Sequence, residues 1–388
     1  MRILATADIH LGSPIRSLAM RNPDLAELLR QASRDVFARV VDLTLSEGVD
    51  ALAIAGDVFD SDQPDLRLRA FFLRQIQRAT AAGIPCLIIR GNHDALLERS
   101  ADLPEGAHLL TKDQPSIDIG GAVIHGLSFD TTHLRKSFLP DYPAPWPGRI
   151  NIGLMHSSLD GSPGHDRYAP CKEADLLAHG YDLWCLGHIH APFERRADGT
   201  LAVMPGIPQP RHFGERGGGT VAIVELSEGA AKITHHPVAR LAFEAVELDL
   251  TDTADLNLAM DKLRAQLDAR TQGAEATALR LMVKTSAFGE DELSAIAQEL
   301  LEDHPSLHLD RVRVAPPAGT DAPEADDLMR LMRAEIASPA FELARDTALA
   351  DLRDALPREA RDALQADDAE ALVAEALQLV RQRMRGGA

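Results

Sequence analysis

The sequence predicts an α/β fold of sheets layered with helices, on three observations. Over residues 1–240, short apolar runs rich in Ile, Leu, Val and Ala alternate with longer amphipathic stretches, the rhythm of sheets covered by helices. Five of those runs lead directly into clusters of Asp, Asn and His. An open α/β sheet collects its ligands beyond the carboxyl ends of its strands, so five such ends can converge on one crevice. Finally, 388 residues are enough for one large or two ordinary domains, each able to bury a core.

Taken in order, residues 2–6 read as a buried strand running into Asp8-Ile9-His10, and 24–47 as an amphipathic helix. Residues 51–55 lead to Gly56-Asp57-Val58-Phe59-Asp60, 67–82 form a second helix, and 85–89 lead to Gly91-Asn92-His93-Asp94. Residues 150–154 lead to Met155-His156, and 183–186 to Gly187-His188-Ile189-His190. Closely spaced runs at 201–204, 220–226 and 231–235, with turn residues between them, read as consecutive antiparallel strands completing a second sheet. Strand 245–250, helix 256–269, strand 278–285, helix 291–302 and strand 307–314 then make a small α/β domain. We place its limits at 241–317, because Pro316-Pro317-Ala318-Gly319 breaks the chain. Residues 318–388 carry apolar stripes at helical spacing, including Leu328, Leu331 and Met332, and then Leu372, Ala376, Leu377 and Val380. Helices without an obvious core of their own pack on the body or await a partner.

The formal charge of −19 argues at first against a nucleic-acid enzyme, whose affinity comes from cations neutralising phosphates. Its distribution weakens that objection: residues 1–240 carry −5, 241–320 carry −8 and 321–388 carry −6. Two bound divalent cations nearly cancel the deficit of the first segment. Three cysteines, Cys86, Cys171 and Cys185, fit neither a CxxC pair nor a zinc module and read as reduced, buried thiols. Met1 leads at once into the first strand and no apolar stretch approaches the roughly 20 residues of a membrane span. The expectation is a cytoplasmic protein with no membrane association.

Two cations held close together need a bridging carboxylate and a shell of oxygen and imidazole donors. The pattern assigns Asp8, His10 and His190 to one metal, Asn92, His156 and His188 to the other, and Asp57 to both. Such a pair lowers the pKa of a shared water and presents it for in-line attack on phosphorus. His93 is the expected general acid for the leaving alkoxide, with Asp94 orienting its ring. Asp60 is expected to orient the ligands from outside. Any one of these residues alone is more readily a turn cap or a surface group; the ordered set is what is specific. His125, inside the apolar run 123–127, reads as a hydrogen-bonded core histidine.

The ordered set DxH, GDxxD, GNHD, H and GHxH resembles that of the calcineurin-like metallophosphoesterases. The opening residues 2–12, the phrase at 180–190 and the turn Met204-Pro205-Gly206 are most similar to the SbcD and YhaO type of DNA repair exonuclease. The resemblance covers residues 1–240. It implies a four-layer α/β/β/α sandwich, a manganese-dependent phosphodiesterase acting on DNA, a small capping domain, and an SbcC-like coiled-coil ATPase bound through the C-terminal helices. Family members are commonly homodimeric.

The centre itself does not choose between a DNA nuclease, a small-molecule phosphodiesterase and a phosphatase, and a mainly scaffolding component of an ATPase complex is a further alternative. Candidate phosphate contacts are Arg16, Arg90, Arg135, Lys136, Arg195, Arg196, Arg211 and Arg216, all in loops or near strand ends. With 4% aromatic residues, a base-stacking platform for single strands finds little support. The residues beyond 240 tilt the expectation toward the DNA enzyme.

Overall fold

Strict alternation along the short strands sorts side chains to two faces, and two sheets close on each other as a result. The computed structural model describes residues 1–315 apart from 14, 16–22, 62, 96–102, 132–135, 160–168, 198, 216, 228–229 and 271–273; beyond 315 it describes scattered positions from 331 to 377. Residues 1–315 form one compact unit and 316–388 another.

The first sheet contains β1 (Arg2–Thr6), β2 (Ala51–Ala55), β3 (Cys86–Ile89) and β4 (Ala107–Leu109), parallel and adjacent in that order. Helices α1 (Pro23–Ser46) and α2 (Leu66–Ala81) link the first three strands. Asp65 caps α2 by accepting from the Arg67 N–H, one of the donors a helix start leaves unpaired. Leu4, Leu52, Ile54 and Ile88 face the two helices, where Phe37 of α1 stacks on Phe72 of α2 at 5.4 Å. Ile3, Ala5, Ala51, Ala53, Leu87 and Ile89 face the other way.

The second sheet runs β5 (Ser116–Asp118), β6 (Ala122–Gly126), β7 (Ile150–His156), β8 (Leu183–Gly187), β10 (Thr200–Met204), β9 (Phe193–Ala197). Its Ile124, Ile152, Leu154, Leu183, Cys185, Leu201 and Val203 meet the inner face of the first sheet in a buried apolar core. On its outer face Trp184, Leu186 and Met155 pack with the short helix α3 (Glu173–Leu177) and with Tyr142 and Tyr181. The architecture is mixed α/β with helices flanking the sheets, as expected. His125 is fully buried, accepting from Ser116 Oγ at 2.8 Å on Nδ1 and donating from Nε2 to Asn151 Oδ1 at 3.1 Å. The three cysteines are buried and free.

One expectation is corrected. The strands after residue 190 do not build one sheet: β9 and β10 form a hairpin on the second sheet, whereas β11 (Thr220–Ser227) and β12 (Ala230–Pro237) join the first, β11 pairing antiparallel with β1. The chain crosses between sheets because β11 is apolar on both faces, with Val221 and Ile223 toward the helices and Ala222 and Val224 toward the inter-sheet core. Only an interior position buries both.

A third sheet of β13 (Leu241–Asp249), β14 (Ala276–Lys284) and β15 (Leu307–Ala315) is wholly parallel. Helices α4 (Leu256–Asp268) and α5 (Glu290–Leu301) cover one face through Leu263, Leu267, Leu293 and Ala297, packed on Val246, Leu279, Leu281 and Val283. On the other face, Leu241, Phe243, Ala276 and Ala278 pack against Ala32 of α1 and against Phe213. Arg240 bridges Asp35 and Glu275, and Arg39 also pairs with Glu275, so this layer is tied to α1 by charge as well as by apolar contact. The partner-binding helices expected at 318–388 lie outside the described residues, except for scattered helical positions such as 334–336 and 344–345.

Candidate metal centre

The carboxyl ends of β1, β2, β3, β7 and β8 lie at one edge of the two sheets, and each must turn sharply to aim a side chain back into the crevice. Asp8, His10, Asp57 and His188 all do so with positive φ, at 53°, 45°, 52° and 98°. Left-handed backbone at non-glycine residues costs about 1–3 kcal/mol each and collects at functional sites. Backbone hydrogen bonds hold the strained segments together: Asp8 N–H to Gly56 O at 3.1 Å, His10 N–H to Asp57 O at 3.1 Å, and Leu11 N–H to Val58 O at 2.9 Å. Two glycines permit the approach. A Cβ on Gly91 would stand 2.2 Å from Asp57 Oδ1, and one on Gly187 would stand 2.1 Å from Ala55 O.

All seven expected ligands converge. Asp8, His10 and His190 place ligand atoms within 4.8 Å of one another, as do Asp8, Asp57 and His156. Asn92 Oδ1 is 3.1 Å from His156 Nε2 and 3.2 Å from His188 Nδ1. Asp57 Oδ2 lies 3.3 Å from His156 Nε2 and 3.9 Å from His10 Nε2, between the two groups. Asp8 accepts from the His188 N–H on both oxygens at 3.1 Å. Asp8, His10, Asp57 and His156 are at most 2% exposed.

The hydrogen-bond pattern is that of a cation site. His190 Nδ1 donates to Glu215 Oε1 at 2.7 Å and His156 Nδ1 to Ala55 O at 2.9 Å, while His10 Nδ1 lies 3.1 Å from Asp60 Oδ1 without hydrogen-bond geometry. The oxygens at His190 and His156 require a proton on Nδ1, which in a neutral ring leaves the lone pair on Nε2. Yet His10 Nε2 lies 3.3 Å from His190 Nε2, and His156 Nε2 points at the oxygens of Asn92 and Asp57. Acceptors aimed at acceptors in a buried pocket repel unless something positive lies between them, so the donor set fits divalent cations.

Electrostatics agree. Burial, aided by the Arg211 charge, pushes His10 down to about 3, which keeps it a neutral donor at pH 7. Burial raises Asp8, whereas Asp57 is held well below the usual carboxylate range because the imidazoles of His156, His10 and His93 outweigh its burial. His156 is raised, burial opposing but the Asp57 charge prevailing. A proton on His156 is what a cation would displace.

His93 stands at the mouth of the site with its side chain 43% exposed. Its backbone N–H donates to Asp57 Oδ1 at 2.9 Å, and its ring meets that of His10 edge-on at 4.9 Å. Asp94 does not orient it. Its two oxygens accept from the Gly91 and Val58 N–H groups at 2.7 and 2.8 Å, bracing one ligand loop against another. The carboxylate set beside the His93 ring is Asp60, 3.9 Å from Nδ1. The reason is local: the turn 91–94 folds the Asp94 carboxylate back onto the N–H that opens it, away from the crevice.

Arg211, expected to touch substrate, is committed internally to Glu215, Asp60 and Ser13. Arg195 and Arg196 are paired with Glu173 and Glu194. Lys136 is exposed and Arg90 partly so, at the end of β3, while Arg16, Arg135 and Arg216 fall outside the described residues. Glu215 was not anticipated. It is a single acid in a loop, without period or motif, and only its place in the fold shows that it meets His190.

Residues 1–192 match the profile of the calcineurin-like phosphoesterase family. The chain is 26% identical over 295 residues to the uncharacterized metallophosphoesterase YhaO of Bacillus subtilis, covering 74% of this chain and 72% of that protein. It is 24% identical over 238 residues to the DNA double-strand break repair protein Mre11 of Methanopyrus kandleri, 55% of this chain and 50% of that protein. To the SbcD component of the SbcCD nuclease of B. subtilis it is 26% identical over 271 residues, 59% of this chain and 67% of that one. Residues 1–192 therefore form a calcineurin-like metallophosphoesterase domain, of a family of metal-dependent phosphoester hydrolases.

Proposed function

We propose that the protein is a two-metal phosphodiesterase that cleaves DNA from ends or internally in repair, with manganese as its metal and an SbcC-like coiled-coil ATPase as its partner. Asp8, His10 and His190 hold one cation, Asn92, His156 and His188 the other, and Asp57 is shared. The observation that carries the two-metal reading is the pair of imidazoles, His190 and His156, whose Nδ1 atoms are anchored by Glu215 and Ala55 O while their Nε2 atoms face His10 Nε2 and the oxygens of Asn92 and Asp57. When bound, two such cations supply Lewis acidity to a phosphodiester and a nucleophile from water at neutral pH. His93, half exposed beside that cluster, protonates the leaving oxygen, and Asp60 faces its ring.

The DNA substrate and the ATPase partner rest on the similarity to Mre11 and to the SbcD component of SbcCD. The small layer at 241–317 is proposed as a cap and residues 318–388 as the partner-binding segment. A small-molecule diester is the second reading, favoured by one observation: Arg195, Arg196 and Arg211 are engaged by carboxylates of the chain itself.

Manganese-dependent hydrolysis of linear duplex DNA, single-stranded DNA and bis-p-nitrophenyl phosphate tests both. Cleavage of duplex DNA by the wild type supports the nuclease. Turnover of the chromogenic diester alone moves the assignment to small molecules, and no turnover of any of them leaves a scaffold.

A further inference from the structure

The loop between β10 and β11 closes a ring of contacts around one half of the site. The His190 Nδ1–H donates to Glu215 Oε1 at 2.7 Å. Arg211 grips the same carboxylate, its Nη2 2.7 Å and its Nε 3.1 Å from Oε1, and its backbone N–H 2.6 Å from Oε2. Its Nη1 reaches Asp60 Oδ1 and Ser13 Oγ, both at 3.2 Å. Asp60 Oδ1 meets His10 Nδ1 at 3.1 Å, and His10 Nε2 returns to His190 Nε2 at 3.3 Å. Glu215 is 5% exposed, so its charge depends on Arg211 and on the imidazole it anchors.

The same loop is pinned at two points to the small parallel sheet. Buried Gln209 donates to Leu241 O at 3.0 Å and accepts from the Arg240 and Leu241 N–H groups at 3.0 and 3.3 Å, at the start of β13. Phe213 lies between Arg211 and Glu215 in sequence. Its ring meets Phe243 edge-on at 5.1 Å and carries the Arg280 guanidinium 3.9 Å above its centre. Arg280 is in turn held by Asp310 at 2.8 Å. A displacement of β13 or β14 therefore displaces the loop that orients two imidazoles.

The geometry points to Glu215 and Arg211 as positioning residues for the cation held by Asp8, His10 and His190, with the small α/β layer fixing their place through Phe213. The inference rests on the two-metal reading above and extends it. A carboxylate on Nδ1–H makes Nε2 a stronger donor and fixes its direction, and losing such a partner typically costs 10–100-fold in metal affinity. Arg211 couples the two carboxylates, so the Glu215 hydrogen bond to His190 and the Asp60 contact with His10 are set together.

Calorimetric titration of the chelator-stripped full chain with manganese, alongside manganese-dependent hydrolysis of bis-p-nitrophenyl phosphate, tests this. For Glu215→Gln, one of two sites is expected to weaken about 10–100-fold while the other is unchanged, and hydrolysis to recover as manganese is raised. Asp60→Asn acts on the other side of the ring and is expected to weaken the same site, which keeps the test decisive if Glu215→Gln does not fold. Arg280→Ala touches no ligand and is expected to weaken that site several-fold. Two unaltered affinities in folded Glu215→Gln or Asp60→Asn overturn the positioning role. Unaltered affinity in Arg280→Ala overturns the part given to the small layer. A wild type that binds no manganese sinks the two-metal reading itself, a separate outcome.

Discussion

At the scale of single residues, the groups proposed to hold cations are separate from the one proposed to move a proton. His93 points to the mouth and is assigned no cation, its backbone N–H touching Asp57 and its ring edge touching His10, so His93→Ala should retain both metals while slowing diester cleavage about 10²–10⁴-fold. Metal analysis beside kinetics checks this, and loss of metal in that variant contradicts the role. Asp57→Ala should lose at least one cation, because its carboxylate lies between the two groups of donors. Gly187→Ala should destabilise the protein by about 1–3 kcal/mol in urea denaturation, since the added carbon collides with Ala55 O and His156 Nδ1. The convergence of the seven side chains was legible because each follows an apolar run in a fixed order. Glu215 and the anchoring of Asp94 were not: neither side chain's direction is set by periodicity, only by which loop the fold brings alongside.

At the scale of elements, period-two alternation does the placing. Along β7, Ile152 and Leu154 enter the inter-sheet core, Met155 turns outward, and His156 falls on the inner side again, over the crevice. The strands that carry ligands were legible almost to the residue, since their apolar runs end in polar clusters. Three strands were not. β4 and β5 have three residues each, and β9 exposes Glu194, Arg195 and Arg196 on a sheet edge, so none offers an apolar run. The sheet assignment of β11 was also hidden, because a strand buried on both faces does not declare its neighbours. Leu154→Ala should cost about 2–5 kcal/mol of stability while leaving metal stoichiometry unchanged. Chemical denaturation with metal analysis separates the two effects.

For the molecule as a whole, a buried cluster of carboxylates and lone pairs is a local instability that cations relieve, so metal binding and folding are linked. Chelation should lower the melting temperature and manganese should restore it, adding about 2.7 kcal/mol of stability per site at a hundredfold excess over the dissociation constant. The central claim is that seven side chains hold two cations sharing Asp57. Anomalous-difference crystallography of the manganese-loaded protein tests it most directly. The account predicts two peaks about 3.5–4 Å apart with the Asp57 carboxylate between them; a single peak, or manganese bound away from Asp57, would contradict it.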